Sequence, residues 1–362
     1  MNLHIVPDNV FINKFYENLQ ELNILHNNRI VVRSNQSALK SVSHDLPFAK
    51  LYSSEFNALT GKTQDYDRVF IHQFTPLLYR WVSTHSFNEL NWMVWGADLY
   101  NLPAVDTLLY EDLTLKRYVK RRFSLQDFLY RSKVFFLHER FRSVAYSKVK
   151  NVLTWMESEY DFARQHLDTL KASHKFFFYE NQLPYQDLDK ILTEKQTSTH
   201  DLPTYILGNS STPELNHLDV IAWMEREGIR ANLCVPVSYG DKKYARFLKN
   251  HVSYKGGNIE FVDRYMTIHD YLQFLNRADG LIMNNIRPQG YGNIFMMMYL
   301  GKKIFLNEKN LSISALNKNK LIWYRLRDLK NTDRKEGDSN KSAVSALLSH
   351  DALLKNYREL FS

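Results

Sequence analysis

The sequence predicts an α/β chain made of two Rossmann-like, doubly wound domains with a cleft between them. Three observations lead there. Short apolar runs of strand length alternate with helical patterns, as in parallel sheets covered on both faces. The alternation dissolves into polar residues between Glu180 and Leu202, then begins again. Polar and glycine-containing turns follow the strands, at the sheet ends where open α/β proteins bind their ligands. A length of 362 residues with 44% hydrophobic and 24% charged side chains is globular in character and favours two domains over one.

In the first half the strand candidates are Leu3–Val6, Arg29–Val32, Arg68–His72, Asn91–Trp95, Asn151–Trp155 and Lys175–Tyr179, with helices such as Phe11–Leu22 and Leu77–Thr84 between them. In the second half Thr204–Leu207, Asn232–Val235, Ile259–Val262 and Gly280–Met283 are strands, with Ile304–Leu306 and Leu321–Tyr324 as the last ones. Helices fall at Leu215–Glu227, Lys242–Val252 and Ile268–Ala278. Arg334–Lys341 reads as a polar, mobile stretch, and Ala343–Phe361 as one amphipathic helix. The expected division is a Rossmann-like domain over 1–180, a linker over 181–202, a second Rossmann-like domain over 203–340, and a C-terminal helix over 341–362 able to pack back on the first domain.

Charge narrows the partners. A formal net charge of +8 asks for an anionic one. The excess concentrates between Leu115 and Lys150, where Lys116, Arg117, Lys120, Arg121, Arg122, Arg131, Lys133, Arg140, Arg142 and Lys148 alternate with aromatics from Tyr118 to Phe141. Such a mixture suits the headgroup layer of an anionic membrane or a single-stranded nucleic acid. It is equally the pattern of an ordinary helix with its aromatics in a core. The only cysteine, Cys234, lies in an apolar run, which suits a reducing cytoplasm. Met1–Val6 has no basic leader and already reads as a strand, and no apolar run approaches the roughly 18 residues that span a bilayer.

The stretch most suggestive of chemistry is Asp279–Lys303. A buried-type strand, Gly280–Met283, breaks at Asn284-Asn285 and passes through Arg287-Pro288-Gln289-Gly290-Tyr291-Gly292 into an apolar helix from Asn293 to Leu300. Strand, glycine turn and helix leave N–H groups and a positive dipole end for an anion, and Arg287 adds a planar charged fork suited to phosphate. A G-x-G by itself is equally a simple tight turn. A nucleotide-sugar transferase must neutralise a departing diphosphate, hold the sugar and accept a proton. Arg287, Gln289, Gly290, Gly292 and Asn293, with Asn209, Ser210 and Tyr239, are the donor candidates. Asp98 in the turn Trp95-Gly96-Ala97-Asp98-Leu99-Tyr100 is the candidate base, with His72 as its competitor, and Trp95 and Tyr100 are the acceptor-side candidates. A lone Asp after a strand is also a common helix cap.

These residues carry a resemblance. The turn Trp95–Tyr100, the group Gly208-Asn209-Ser210 with His217, Val235-Pro236 with Tyr239, Asp270-Tyr271-Leu272, the Arg287–Gly292 block and Gly301 occur in the order seen in glycosyltransferase family 56. That family comprises bacterial 4-acetamido-4,6-dideoxygalactose transferases of enterobacterial common antigen synthesis, and the His72-Gln73-Phe74 turn is also similar to it. The resemblance implies a GT-B fold, with the acceptor bound by the domain over 1–180 and the nucleotide-sugar by the domain over 203–340, and an inverting, metal-independent reaction with no cofactor. The implied donor is a deoxy- or aminodeoxy-sugar, fucose-like, on dTDP or another nucleotide. The implied acceptor is a polyprenyl-diphosphate-linked or other cell-surface glycan. No specific nucleic acid is implied, and the implied location is peripheral, on the cytoplasmic face of the bacterial inner membrane. The chain departs from the family at Asn293 (Thr there), at Ser238 (Gly there), over Ser211–Asn216 and over most of Leu102–Phe141.

Absences agree with an inverting reaction. Gly280–Asn307 contains no Asp or Glu, although retaining two-domain transferases carry carboxylates across this turn and helix. Asp65-Tyr66-Asp67 and Asp187-Leu188-Asp189 match a metal-binding Asp-x-Asp only in letters, the first preceding its strand and the second lying in the linker. The histidines lack paired zinc spacing. The competing reading is a non-enzymatic nucleic-acid- or membrane-binding protein that uses residues 115–150.

Overall fold

A computed structural model describes residues 1–102, 105–121, 129, 132, 133, 136–179, 183–194, 201–330 and 340–362. Residues 1–106, 124–181 and 350–362 form one compact unit; 107–123 and 182–349 form the other. The strands of unit 1 are β1 (Asn2–Pro7), β2 (Asn28–Arg33), β3 (Phe48–Ala49), β4 (Arg68–His72), β5 (Leu90–Met93), β6 (Val149–Thr154) and β7 (Ser173–Phe176). Those of unit 2 are β8 (Thr204–Leu207), β9 (Asn232–Pro236), β10 (Ile259–Val262), β11 (Gly280–Met283), β12 (Lys303–Leu306) and β13 (Tyr324–Arg325). The helices, in chain order, are α1 (Phe11–Glu21), α2 (Ser54–Thr60), α3 (Pro76–Thr84), α4 (Ala97–Tyr100), α5 (Asp112–Arg117), α6 (Arg142–Ser147), α7 (Glu157–His166) and α8 (Tyr185–Thr193). They continue with α9 (His217–Arg226), α10 (Lys242–His251), α11 (Ile268–Arg277), α12 (Tyr291–Tyr299), α13 (Ile313–Lys318), α14 (Lys341–Leu347) and α15 (His350–Phe361).

Both sheets are parallel throughout their described pairings. Their strand orders are β3-β2-β1-β4-β5-β6-β7 and β10-β9-β8-β11-β12-β13. Each order reverses once, between β1 and β4 in unit 1 and between β8 and β11 in unit 2. Those reversals are the switch points at which doubly wound sheets bind ligands. The central strands are apolar runs because helices cover both of their faces: Leu3, Ile5, Val6, Leu281, Ile282 and Met283 are all fully buried. The core of unit 1 joins Val6, Phe15 and Val32 to Phe177 and to Leu353, Tyr357 and Phe361 of α15. That of unit 2 joins Leu207, Val220, Met224, Val235, Ile282 and Phe305. Helix α12 is apolar all round, Ile294 to Tyr299 being buried without exception.

The elements differ from the sequence pattern at several places, among them the short strand β3 and the end of β5 at Met93 rather than Trp95. β7 begins at Ser173, pairing with Asn151, and ends at Phe176. Its Ser-His start carries no apolar signal, and Phe177 and Phe178 leave the sheet to fill the core. Within 180–202, α8 forms with only Leu188 and Ile191 buried, too short a stripe to register as helical periodicity. The last strand is two residues long, Phe305 pairing with Tyr324, while Leu321 is buried outside the sheet. The expected helix 343–361 is interrupted between α14 and α15, where the chain passes from unit 2 to unit 1.

Of the basic aromatic segment, Arg122, Phe123, Phe128, Tyr130, Arg131 and Phe135 lie outside the described residues, as does most of 334–341. The described part is amphipathic. Lys116, Arg117 and Lys120 are exposed while Tyr118 packs on Tyr244 and Phe247. Lys148 spends its ammonium on the carbonyls of Val82, Ser83 and His85 at the end of α3, at 3.1, 2.7 and 2.7 Å. Among the described residues no helix is long and apolar enough to cross a membrane.

Candidate active site

In unit 2 the turn after β8 and the turn after β11 meet at the switch point. Gly208 adopts φ +73° and its N–H bonds the Ile282 carbonyl at 2.8 Å, which ties the turn after β8 to the end of β11. Gln289 Nε2 lies 3.5 Å from Asn209 Oδ1. Gly290, the cap of α12, has φ +71°, and a Cβ there would meet Met283 Cε at 2.7 Å and Asn209 Cγ at 3.0 Å, so glycine is favoured by both backbone and space. Gly292 is different. It is exposed, and a Cβ would find only Met296 Cε, at 4.0 Å. Open space beside the first turn of a helix without a side-chain cap is room for a ligand to approach its amides. Arg287 is half-buried on the same turn.

This turn stands on buried asparagines. Asn285 Nδ2 donates to the Arg287 carbonyl at 2.6 Å, Asn310 Nδ2 to the Asn285 carbonyl at 2.8 Å, and Asn307 Nδ2 to Asn284 Oδ1 at 2.8 Å. Asn216, left-handed at φ +51°, donates to the Asn284 and Leu109 carbonyls at 3.1 Å each. Other sequence candidates have definite places. Ser210 is buried with its hydroxyl 2.7 Å from that of Thr212. The Asn293 side chain bonds the Tyr271 hydroxyl, whose pKa burial pushes up to about 12. Tyr239 is 70% exposed at the end of β9.

In unit 1, Gly96 at φ +92° turns the chain from β5 into α4 and swings Asp98 inward. The carboxylate is 2% exposed. It accepts from Trp92 Nε1 at 2.6 Å, from the Phe74 amide at 2.8 Å and from the Trp95 amide at 2.9 Å. Burial pushes its pKa up, and these hydrogen bonds hold it back. Tyr100 is buried and directs its hydroxyl to Glu159 at 3.0 Å.

His72, fully buried, is one member of a continuous hydrogen-bond chain. Trp95 Nε1 lies 2.6 Å from the Tyr179 hydroxyl, which contacts His72 Nδ1. His72 Nε2 is 3.0 Å from His4 Nδ1, and His4 Nε2 is 2.9 Å from Asn28 Oδ1. Asn28 Oδ1 can only accept, so His4 carries its proton on Nε2 and takes one from His72 Nε2. His72 Nδ1 then accepts from Tyr179, and Tyr179 accepts from Trp95. Burial lowers the pKa of both imidazoles, that of His4 to about 3, so both stand neutral.

Sequence reasoning missed His4, Tyr179 and Arg33 in this arrangement. Arg33, at the carboxyl end of β2, donates to the Gln73 carbonyl and side chain at 3.1 Å each. Burial lowers its pKa to about 10 and Asp98 opposes that. Gln73 itself is left-handed at φ +62°, a conformation uncommon for non-glycine residues. The one available signal was a charge closing the apolar run Ile30-Val31-Val32. Among the described residues no three His, Cys, Asp or Glu side chains converge as a metal-ligand set.

Solved structures share this architecture. Sucrose-phosphate synthase from Thermosynechococcus elongatus superposes with a TM-score of 0.62 at 11% identity, over 100% of this chain and 99% of that one. A UDP-forming α,α-trehalose-phosphate synthase from Burkholderia xenovorans gives 0.53 at 7% identity, over 99% of both chains. Its counterpart from Burkholderia multivorans gives 0.52 at 8%, over 99% and 95%. No curated protein sequence matches the chain. Two parallel α/β units of this order define a fold of the GT-B type. More narrowly, the profile described as 4-alpha-L-fucosyltransferase, glycosyl transferase group 56, matches residues 126–344, and the chain belongs to that family. Membership replaces the non-enzymatic alternative with an enzyme related to nucleotide-sugar transferases.

Proposed function

We propose that the protein transfers a deoxy- or aminodeoxy-sugar, of the 4-acetamido-4,6-dideoxygalactose or fucose type, with inversion and without a metal. The donor is a nucleotide-sugar, dTDP-linked by family resemblance. The acceptor is a polyprenyl-diphosphate-linked or other surface glycan, reached from the cytoplasmic face of an anionic membrane. The observation that carries the reading is the meeting of Asn209, Gln289 and Gly290 at the start of α12. There the amides of the first turn and Arg287 neutralise the diphosphate as it leaves. In the 280–307 stretch no carboxylate is available to trap a sugar.

Asp98 is the proposed proton acceptor. Both groups are buried and hydrogen-bonded, His72 through both nitrogens and Asp98 through both oxygens; burial suppresses the basicity of His72 and raises that of Asp98. Trp95, half-buried beside it, and Tyr100 belong to the acceptor side, the second as support for the turn. Titration calorimetry with dTDP tests the donor assignment. Arg287→Ala should weaken binding at least tenfold, as befits loss of a charge-assisted contact; an unchanged affinity puts the phosphates elsewhere. The anomeric configuration of the product, read by NMR, tests inversion.

A further inference from the structure

Beside the switch point of unit 1 lies a cation that the proposed transfer leaves without a task. Arg33 closes β2, and its Nη2 donates to the Gln73 carbonyl and to Gln73 Oε1 at 3.1 Å each. Its Nε is buried without a hydrogen-bond partner, and the guanidinium forms no ion pair among the described residues. We infer that Arg33 is a positioning residue for Asp98: it holds the turn that delivers the Phe74 amide to the carboxylate, and it stands as that carboxylate's counter-charge. The inference rests on the reading of Asp98 as proton acceptor and extends it.

Strand order sets the reach. Strand β1 runs between β2 and β4, with Pro7 opposite Arg33. Neighbouring strands lie about 4.8 Å apart, so the ends of β2 and β4 are about 10 Å apart, a gap that takes a long side chain to bridge. Arg33 crosses it and grips Gln73 at backbone and side chain together. Gln73 is left-handed, and its amide bonds the Met93 carbonyl at 3.1 Å while its carbonyl also receives the Thr75 amide at 2.9 Å. The next amide in the chain is that of Phe74, which donates to Asp98 Oδ2 at 2.8 Å. A planar fork on one residue therefore fixes the donor presented by its neighbour.

Charge supplies the second half of the role. Neutral oxygens compensate a buried cation only in part, and the carboxylate that acts on Arg33 is Asp98. That attraction counts equally for both partners. Burial favours the neutral form of Asp98, whereas a base must be ionised before the acceptor arrives. The phenols of Tyr79 on α3, Tyr146 on α6 and Tyr179 also face it, and burial raises their pKa values, so they bring no charge. His72, at the end of β4, is neutral as well. Glu139 and Arg142, which act on Tyr79, pair with each other at 3.5 Å.

The Trp92 indole N–H donates to Asp98 Oδ2, so its nitrogen resonance, identified by its loss in Trp92→Phe, reports protonation of that carboxylate with no substrate present. The test titrates this resonance with acid in wild type, Arg33→Lys, Arg33→Gln and Arg33→Met. The two charge-free variants should raise the midpoint by about one pH unit, the methionine serving if the glutamine variant does not fold. Arg33→Lys keeps the charge and should stay nearer wild type. Hydrogen exchange at the Phe74 amide should quicken in all three, since none has the fork. A midpoint unmoved in a folded charge-free variant overturns the inference even if its melting temperature falls, because Arg33 would then be structural only. Unchanged exchange at Phe74 overturns it too. Wild-type turnover in Asp98→Asn would instead remove the base assignment and leave this titration standing, so the two readings fail separately.

Discussion

Trp92 Nε1 donates to Asp98 Oδ2 across 2.6 Å, tying β5 to the turn that follows it. The same oxygen accepts the Phe74 amide from the turn after β4, so one carboxylate holds two strand ends of unit 1 together. A proton acceptor at this position would also be a structural keystone, and its variants must be read on both counts. Asp98→Asn sets an NH₂ group against fixed N–H donors. It should cost about 1–3 kcal/mol of stability, measured by urea denaturation, and reduce kcat by 10²–10⁴-fold at temperatures where it remains folded. Wild-type turnover in a folded Asp98→Asn protein removes the base assignment and leaves only the structural role.

Gly290 and Gly292 should part company. Gly290→Ala meets Met283 and Asn209 in a left-handed conformation, and a loss of at least about 1 kcal/mol is expected. Gly292→Ala enters open space in a helix and should hold or gain stability by up to about 1 kcal/mol, while weakening nucleotide binding by covering the amides. Thermal melts paired with dTDP titration decide this. Unimpaired binding by a stable Gly292→Ala protein would remove Gly292 from the site.

Acid should destabilise the fold through its buried imidazoles. His4 and His217 have pKa values lowered by burial to about 3, and His72 shifts the same way. In the unfolded chain each titrates near 6.5. Between those limits the unfolded state binds more protons, so stability present above pH 6.5 is lost as pH falls, at up to about 1.4 kcal/mol per pH unit for each residue. Denaturation midpoints measured from pH 7.5 to 4.5 should fall steadily. A flat profile would mean that these rings are solvated.

Tyr179→Phe interrupts the chain from Trp95 to Asn28. It strands the Trp95 indole N–H and the His72 lone pair, for a cost of about 2 kcal/mol or more. Equal stability of Tyr179→Phe and wild type would show that water readily replaces the phenol.

The fold was legible because parallel strands buried on both faces are largely apolar, Gly280–Met283 throughout and Leu3–Val6 except at His4. The turn at Arg287–Gly292 was legible because a left-handed cap such as Gly290 leaves a local mark. What was hidden depends on strand order. His4 meets His72 across 68 residues and Tyr179 meets His72 across 107, distances no local pattern encodes. Nor does sequence distinguish a carboxylate swung inward by Gly96, as at Asp98, from one left half-exposed, as at Glu214. The helix α8 escaped notice because two buried side chains make no periodicity.

The helix α15 gives the chain an unusual order of assembly. Its Tyr357 and Phe361 complete the hydrophobic interior of unit 1, and Arg68 holds the Leu360 and Ser362 carbonyls at 2.7 and 2.8 Å. On the ribosome, synthesis runs from the amino end, so the first sheet emerges early yet waits for its last piece until all of unit 2 has been translated. The nascent first half must therefore survive with part of its interior uncovered, and removing α15 should produce aggregation during expression rather than a merely less active enzyme.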